Sequence, residues 1–260
     1  MDAIEEIKEN YLITYVYYET DQSIQNLNFF IKNGIFNQTD VYFNFIIKDK
    51  CSVEIPKYDN VKIIKTDNTG YDFGAYSDSI SASDITKFKY FIFLNDTVRG
   101  PFIPRYISKN HWYKYFTSLL NDKTKLVGST INYFDTADGI VPYKLDPHIQ
   151  SMSFATDRIG LNILIKNDIF NKRQHIETIK KSKIIFIRKF EIGLSRVIIN
   201  AGYHITALHQ SLNNKNVIKH GDIHYRGIYF NSTLNPLEIM FIKTNRINDI
   251  ITQNYTKWNS

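Results

Sequence analysis

Two short polar clusters in the sequence carry residue types that bind phosphorylated ligands. The first, Asn95-Asp96-Thr97, directly follows an apolar run. A carboxylate at Asp96 can hold a divalent cation that bridges a diphosphate, although Asn-Asp is also common in turns. The second, residues 67–72, contains a glycine and precedes a helical pattern, so its amides could receive an anionic or ribose-like group. Asp72, at its end, could instead cap the helix.

The elements predicted around these clusters would bring them together. Strands are predicted at 11–18, 41–47, 61–65 and 89–94, and helices at 23–34, with Ser23 as its cap, and at 73–82. This alternation indicates an α/β fold with a mostly parallel central sheet flanked by helices. Ligands bind such sheets beyond the carboxyl ends of the strands. The polar segments there should therefore meet in one crevice: residues 19–21, 66–72 and 95–100.

The second half of the chain is less regular. A strand is predicted at 125–131, a loop at 132–147, an amphipathic helix at 191–202 and a strand at 204–208. No internal repeat or low-complexity linker interrupts the chain, so we interpret residues 1–260 as one domain.

The composition of the chain argues against a membrane-spanning, secreted or nucleic-acid-binding protein. The 260 residues include 43% hydrophobic residues and one cysteine, Cys51, and no apolar stretch has the length of a membrane span. The charged start lacks the apolar core of a signal peptide, so we expect a cytoplasmic protein. The net charge is +6, but the densest basic run, 180–183, is short, and we expect no nucleic-acid partner. The charge could attract a nucleotide diphosphate or simply be a solvated surface.

Four segments resemble one glycosyltransferase family. Residues 68–76 read Asn-Thr-Gly-Tyr-Asp-Phe-Gly-Ala-Tyr, and 90–102 are an apolar strand followed by Asn-Asp-Thr-Val-Arg-Gly-Pro. They resemble the N-x-G-Y-D-F-G-A-W and N-D-S-V-x-G-P elements of the rhamnan synthesis F family. Residues 148–151 are similar to its H-I-Q-S element and 190–195 to its Y-E-x-x-L-S element. Order and spacing agree over roughly residues 10–210.

The resemblance implies a GT-A fold, related to family 2 glycosyltransferases, and a nucleotide-diphosphate sugar as donor. The donor half would span about 10–105 and the acceptor half about 106–260. Asp96 would bind Mn²⁺ or Mg²⁺, with His209, His220 or His224 completing the metal shell; we select His209. The D-x-D motif usual in this fold reads Asn95-Asp96-Thr97 here, which puts the metal dependence in question. Donor-binding residues are predicted at Val16, Asp67, Asn68, Gly70, Asp72, Asn95, Asp96 and Arg99.

Glu191 is the predicted catalytic base. An inverting transferase needs a group that takes the proton of the acceptor hydroxyl. A carboxylate at a helix start would stay ionised, because the helix dipole favours negative charge there. The position resembles the base of inverting GT-A enzymes, with Ile192 in place of an acidic partner, but it could also be an ordinary first-turn glutamate. Asp157 and Asp138 are the alternatives.

The acceptor, a glycan, is assigned to His148, Gln150 and Ser151, whose side chains suit sugar hydroxyls, although bonding within the loop would also explain them. Four basic residues could meet the diphosphate or lie exposed: Lys219, Arg226, Lys243 and Arg246.

We therefore expect an inverting glycosyltransferase that transfers rhamnose or another hexose. Two alternatives stay open. A sugar nucleotidyltransferase usually has a Gly-rich loop after the first strand, whereas residues 19–23 read Glu-Thr-Asp-Gln-Ser. A non-catalytic nucleotide- or glycan-binding module would fit the missing first acid of D-x-D.

Overall fold

The computed structural model describes residues 10–133, 147–213, 222–225, 227–246 and 250–259. Four residues considered above, Asp138, Lys219, His220 and Arg226, lie outside these ranges. None of the described helices has the length and apolar surface needed to span a bilayer.

A seven-stranded sheet forms the centre of the described structure. Its strands are β1 (Tyr11–Tyr17), β2 (Val41–Ile47), β3 (Val61–Lys65), β4 (Tyr90–Asn95), β6 (Thr124–Gly128), β9 (Ser153–Asp157) and β10 (His204–Ala207). Two small antiparallel pairs join β5 (Val98–Arg99) to β11 (Ile242–Lys243) and β7 (Ile131–Asn132) to β8 (His148–Ile149). The sheet order is β10-β6-β9-β4-β1-β2-β3.

All strands of this sheet run parallel except β9, which lies antiparallel between β4 and β6. The predicted α/β class with a mostly parallel sheet is confirmed, and this topology is consistent with a GT-A fold. The sequence did not predict β9. Its reversed direction matters for the site, because its first residue, Ser153, pairs with Leu94 at the edge where β4 ends.

Helices cover both faces of the sheet. They are α1 (Asp21–Gly34), α2 (Tyr71–Ser81), α3 (Tyr113–Thr117), α4 (Arg158–Lys166), α5 (Lys172–Lys181), α6 (Lys183–Phe186), α7 (Ile192–Asn200), α8 (Pro236–Ile239) and α9 (Ile250–Trp258). A π-helical turn, Ile187–Glu191, joins α6 to α7 without a break. The predicted cap Ser23 is wrong: Thr20 caps α1, and Ser23 completes a capping box as its third helical residue.

Two aromatic-rich cores fix the sheet between these helices. One face packs Tyr15, Phe30, Phe45 and Trp112, and the other packs Phe73, Tyr76, Phe93 and Phe154. Val16 belongs to the second core and is fully buried. The prediction that it binds the donor is therefore wrong for its side chain, because alternation along β1 turns that side chain into the core.

Candidate functional site

A pocket of about 260 Å³ opens at the carboxyl edge of the sheet. It is bordered by the end of β4, the first turn of α2, the segment around β8, the π-helical turn and the C-terminal segment. Its lining includes Asp72, Asn95, Thr97, Asn132, His148, Gln150, Ser151, Ile187, Glu191, Asp222, Lys243, Asn245 and Arg246. Of the three segments expected to meet at this edge, 66–72 and 95–100 contribute to the pocket, whereas no residue of 19–21 lines it.

Asp72 is held by two neighbours from other elements. Lys48 Nζ donates to its Oδ1 at 2.8 Å, and Asn95 Nδ2 donates to its Oδ2 at 2.7 Å. The alternative that Asp72 caps its helix is wrong, because α2 begins after Gly70 and has no side-chain cap. Gly70 has φ of 77°, a left-handed conformation that favours glycine, so its role is to turn the backbone into α2.

Asp96 lies close enough to Asp72 for the two charges to interact. Its Oδ2 accepts a hydrogen bond from the backbone amide of Tyr18. Burial, with the nearby negative charge of Asp72, raises the pKa of Asp96 to about 7. We call Lys48, Asp72, Asn95 and Asp96 the acidic rim.

Glu191 faces the same pocket, but it does not begin a helix. It is the last residue of the π-helical turn and runs directly into α7. The predicted stabilisation of its charge by a helix N-terminus is therefore wrong. Burial raises the pKa of Glu191, the charge of Asp72 raises it further, and Lys243 opposes the shift. Wide helical turns of this kind often occur at functional sites.

The buried phenol of Tyr76 lies close to these acids. Its hydroxyl donates to the carbonyl oxygen of Ser151 at 3.0 Å. After burial, the charges of Asp72, Asp96 and Glu191 are the main causes that raise the pKa of this phenol. One side chain thus lies within electrostatic range of all three carboxylates.

The C-terminal segment supplies positive charge to the pocket. β11 pairs with β5, which places Lys243 opposite Val98, just after the acidic rim. Arg246 also lines the pocket, with its guanidinium 4.6 Å from the centre of the Tyr225 ring. Of the four basic residues considered for the diphosphate, these are the two that the structure describes.

The prediction that Arg99 binds the donor is wrong. Its side chain is buried beneath the pocket and donates to Asn26 Oδ1 at 3.0 Å, Thr256 Oγ1 at 3.1 Å and Gln25 Oε1 at 3.1 Å. Asn26 in turn donates to the carbonyl oxygen of Asp96 at 2.8 Å. Arg99 therefore supports the turn that carries Asp96 rather than facing a ligand.

A second group of side chains, the hydrogen-bonded wall, comprises Thr130, Gln150, Asp222 and His224, of which Gln150 and Asp222 line the pocket. Gln150 Nε2 donates to Asp222 Oδ1 at 3.1 Å, and Gln150 Oε1 accepts from the Thr130 hydroxyl at 2.8 Å. That hydroxyl has then used its only proton, so His224 Nε2, 3.1 Å away, donates to it. Burial lowers the pKa of His224 to about 4, which keeps the ring neutral.

The wall includes a functional candidate that sequence reasoning missed. Asp222 lines the pocket, and its Oδ2 lies 3.8 Å from Arg246 Nε. No motif or periodic pattern surrounds Asp222, so only its contacts identify it. Of the predicted acceptor residues, His148 and Ser151 also line the pocket, with His148 on β8 and Ser151 in the turn before β9.

Several other predicted residues lie elsewhere. Asp67 Oδ1 pairs with Lys172 Nζ at 2.7 Å and does not line the pocket, and Asn68 is exposed beside it. Asp157 is excluded as a base, because it caps α4 and pairs with Lys125 at 2.7 Å where β4 begins, at the opposite edge of the sheet.

His209 is not supported as a metal ligand. It does not line the pocket, its Nδ1 is 2.9 Å from Ser211 Oγ, and its Nε2 is 3.4 Å from Glu238. Within the described ranges, no cluster of three or more His, Cys, Asp or Glu side chains could enclose a metal ion. The acidic rim nevertheless fits a Mg²⁺- or Mn²⁺-type ion, because such ions often use one or two carboxylates and complete their shell with phosphate oxygens and water.

Comparison with known proteins identifies no family. No protein-family model matches the chain. No curated protein matches it either. Among solved structures, the mannosyltransferase PcManGT from Pyrobaculum calidifontis, in complex with GDP-Man and Mn²⁺, is similar with a TM-score of 0.46 and 7% identity. The match covers 76% of this chain and 54% of that chain, so this protein spans about half the length of that structure. At this level of similarity the comparison says nothing about function, and the resemblance to the rhamnan synthesis F family stays a prediction.

Proposed function

We propose that this protein transfers a sugar from a nucleotide-diphosphate sugar to a hydroxyl group of a glycan. The observation that carries the proposal is that Asp72 and Glu191 line one open pocket at the carboxyl edge of a mostly parallel sheet, with Asp96 within electrostatic range of Asp72 beside it. This is the edge at which open α/β sheets bind nucleotides. The chain would act as one domain, with donor contacts from about residues 10–105 and acceptor contacts from 106–260.

The donor would lie across the acidic rim. Asp72, Asn95 and Thr97 would border the donor on this side of the pocket, and Lys243 and Arg246 would meet the diphosphate with charge-assisted hydrogen bonds. Asp96 would hold Mn²⁺ or Mg²⁺ together with the phosphate oxygens. Such an ion would neutralise the negative charge that builds on the departing diphosphate. The donor sugar would be rhamnose or another hexose, which rests only on the family resemblance.

Glu191 would act as the base. It would take the proton of the acceptor hydroxyl as the oxygen attacks the anomeric carbon and the bond from that carbon to the diphosphate oxygen breaks, with inversion. A raised pKa suits this role, because a base works best when its pKa approaches the working pH. His148, Gln150 and Ser151 would position the acceptor opposite the donor.

One observation favours a second candidate, a non-catalytic binding module. The first acid of D-x-D is absent, and Asn95 in its place is committed to hydrogen bonds with Asp72 and Thr97. A protein that binds nucleotide sugars without turnover would tolerate this arrangement.

A donor panel separates the two candidates. Purified protein would be incubated with UDP-, GDP- and dTDP-sugars, Mn²⁺ and mixed oligosaccharide acceptors, and the release of nucleotide diphosphate would be measured. We expect release with one donor class, and E191Q should lower its rate by about 100-fold or more while nucleotide-dependent thermal stabilisation persists. Glu177 is exposed on α5, so E177Q is the matched control and should behave as the wild type.

Each outcome of this panel decides between the candidates. Thermal stabilisation by a nucleotide diphosphate without any release would identify the binding module. Neither stabilisation nor release across the panel would contradict the proposal altogether.

A further inference from the structure

Asn95 has a donor side and an acceptor side, and both are occupied. Its Nδ2 donates to Asp72 Oδ2 at 2.7 Å. Its Oδ1 accepts from the Thr97 hydroxyl at 2.6 Å and from the Thr97 amide at 3.1 Å. Because the side facing Asp72 must donate, a carboxylate at position 95 would not satisfy both neighbours.

Asp72 is more exposed than Lys48, its second hydrogen-bond partner. Lys48, which donates to the other oxygen of Asp72, is 7% exposed, whereas the Asp72 side chain is 30% exposed. Each carboxylate oxygen can accept two hydrogen bonds, and Lys48 and Asn95 supply one to each. Asp72 therefore keeps lone pairs that remain accessible from the pocket.

We propose that Asn95 and Lys48 are positioning residues, which fix Asp72 as the second acidic group of the rim in place of an acid at position 95. The second acidic group, Asp72, thus lies in the first turn of α2, and the end of β4 carries the amide Asn95. The pair Asp72 and Asp96 then faces a cation-bound diphosphate, and this ligand assignment rests on the proposed function. The positioning itself rests only on the contacts of Asn95 and Lys48.

This arrangement makes a counterintuitive prediction about the D-x-D motif. The variant N95D restores the first acid of that motif, but it sets two carboxylates at hydrogen-bond distance beside the charge of Asp96. Like charges so close cannot all be ionised without a penalty. N95D should therefore lower the stability of the folded protein, even though it restores the D-x-D motif.

The experiment compares N95D, D72N and the exchanged pair D72N/N95D, with N37D as control for an added charge at an exposed asparagine. At pH 8, N95D should lower the melting temperature by about 5–10 °C relative to N37D, because the new carboxylate lies against Asp72 where an amide donor stood. The exchanged pair again places an amide against a carboxylate, so most of this loss should be recovered.

Binding of Mn²⁺ with UDP, GDP or dTDP provides the second measurement, by calorimetry. D72N should weaken it by about 10–100-fold, the range for groups that orient or complete a metal shell. The exchanged pair should remain as weak as D72N despite its recovered stability, because its acid lies at the less accessible position.

Two results would overturn the inference: N95D as stable as N37D at pH 8, or D72N binding with the affinity of the wild type. If the wild type binds no nucleotide diphosphate, the proposed function fails on its own. The stability of N95D and of the exchanged pair then decides the positioning role by itself.

Discussion

The acidic rim and the hydrogen-bonded wall both contribute residues to one pocket, yet burial shifts the pKa values of their titratable groups in opposite directions. The rim crowds Asp72 and Asp96 together, and the pKa of Asp96 rises to about 7. The wall buries His224 as a neutral ring, and its pKa falls to about 4. The rim therefore carries negative charge that folding alone would not favour, whereas the wall adds no positive charge, because the His224 ring stays neutral. This contrast is expected when a ligand, rather than the fold, supplies the compensation at the rim.

The two regions should respond oppositely to pH. Asp96 has a folded-state pKa above its unfolded value, so its contribution to stability is present at low pH and is lost as the pH rises through about 7. His224 has a folded-state pKa below its unfolded value of 6.5, so its contribution is present above that pH and is lost as the pH falls toward about 4.

The largest expected effect concerns the wall. From pH 7 to pH 4, burial of neutral His224 should remove up to about 3 kcal/mol from the free energy of unfolding, because the unfolded chain binds the proton more readily. In H224Q the amide can still donate to Thr130, so this part of the acid loss should disappear in urea titrations at each pH.

His175 makes H175F a useful comparison for H224Q. Burial also lowers its pKa to about 4, but it packs among Phe73, Phe186 and Phe190 rather than in the wall. Both variants should flatten the acid side of the stability curve. Parallel curves for H224Q and the wild type between pH 6.5 and pH 4 would remove His224 from this account.

A smaller and opposite effect is expected at the rim. D96N should raise the free energy of unfolding at pH 8 by about 1–2 kcal/mol, allowing for the water that reaches this side chain, and by little at pH 5. The amide oxygen can still accept from Tyr18, so the loss of charge is the main change. The same variant should lose stabilisation by Mn²⁺ with a nucleotide diphosphate. D96N less stable than the wild type at pH 8 would mean that the rim is not strained by its charges.

The smallest effect concerns Lys243 and Glu191, which line the same pocket as do parts of the rim and the wall. Its charge lowers the pKa of Glu191, so K243Q should raise that pKa. Since the proposed base works when ionised, the acid limb of the rate profile should move to higher pH by a fraction of a unit. Lys257 is exposed on α9, and K257Q, with the same change of charge, should leave the profile unchanged. A shift of equal size in K257Q would point to net charge rather than to Lys243.

Much of the rim could be predicted from the sequence, because strand patterns and strand-end motifs are local. The runs at 41–47 and 61–65 match β2 and β3, and the segments after β1 and β4 meet as the parallel topology requires. The assignment of Asp96 and Asp72 to one edge needed only the rule that parallel strands end together.

The wall could not be predicted in this way. Gln150 and Asp222 are 72 residues apart and meet only through tertiary packing. The direction of a strand cannot be read from its sequence, and β9 runs antiparallel to its neighbours. The sequence therefore does not predict at which edge of the sheet residues 147–152 lie. The error at Glu191 has a similar cause: a π-helical turn preserves the helical pattern on both sides, and the sequence therefore suggested a helix start inside a continuous helix.

The contact of Asn26 with both Asp96 and Thr244 has a mechanical consequence. Its Nδ2 donates to the Asp96 carbonyl oxygen and to Thr244 Oγ1, each at 2.8 Å, and the Thr244 amide donates to the Thr97 carbonyl oxygen at 2.9 Å. The turn that carries Asp96 and the segment that carries Lys243 are thereby tied to each other as well as to α1. Separating these two segments would require breaking those hydrogen bonds, so the fold itself sets the distance between the strand that carries Lys243 and the turn that carries Asp96.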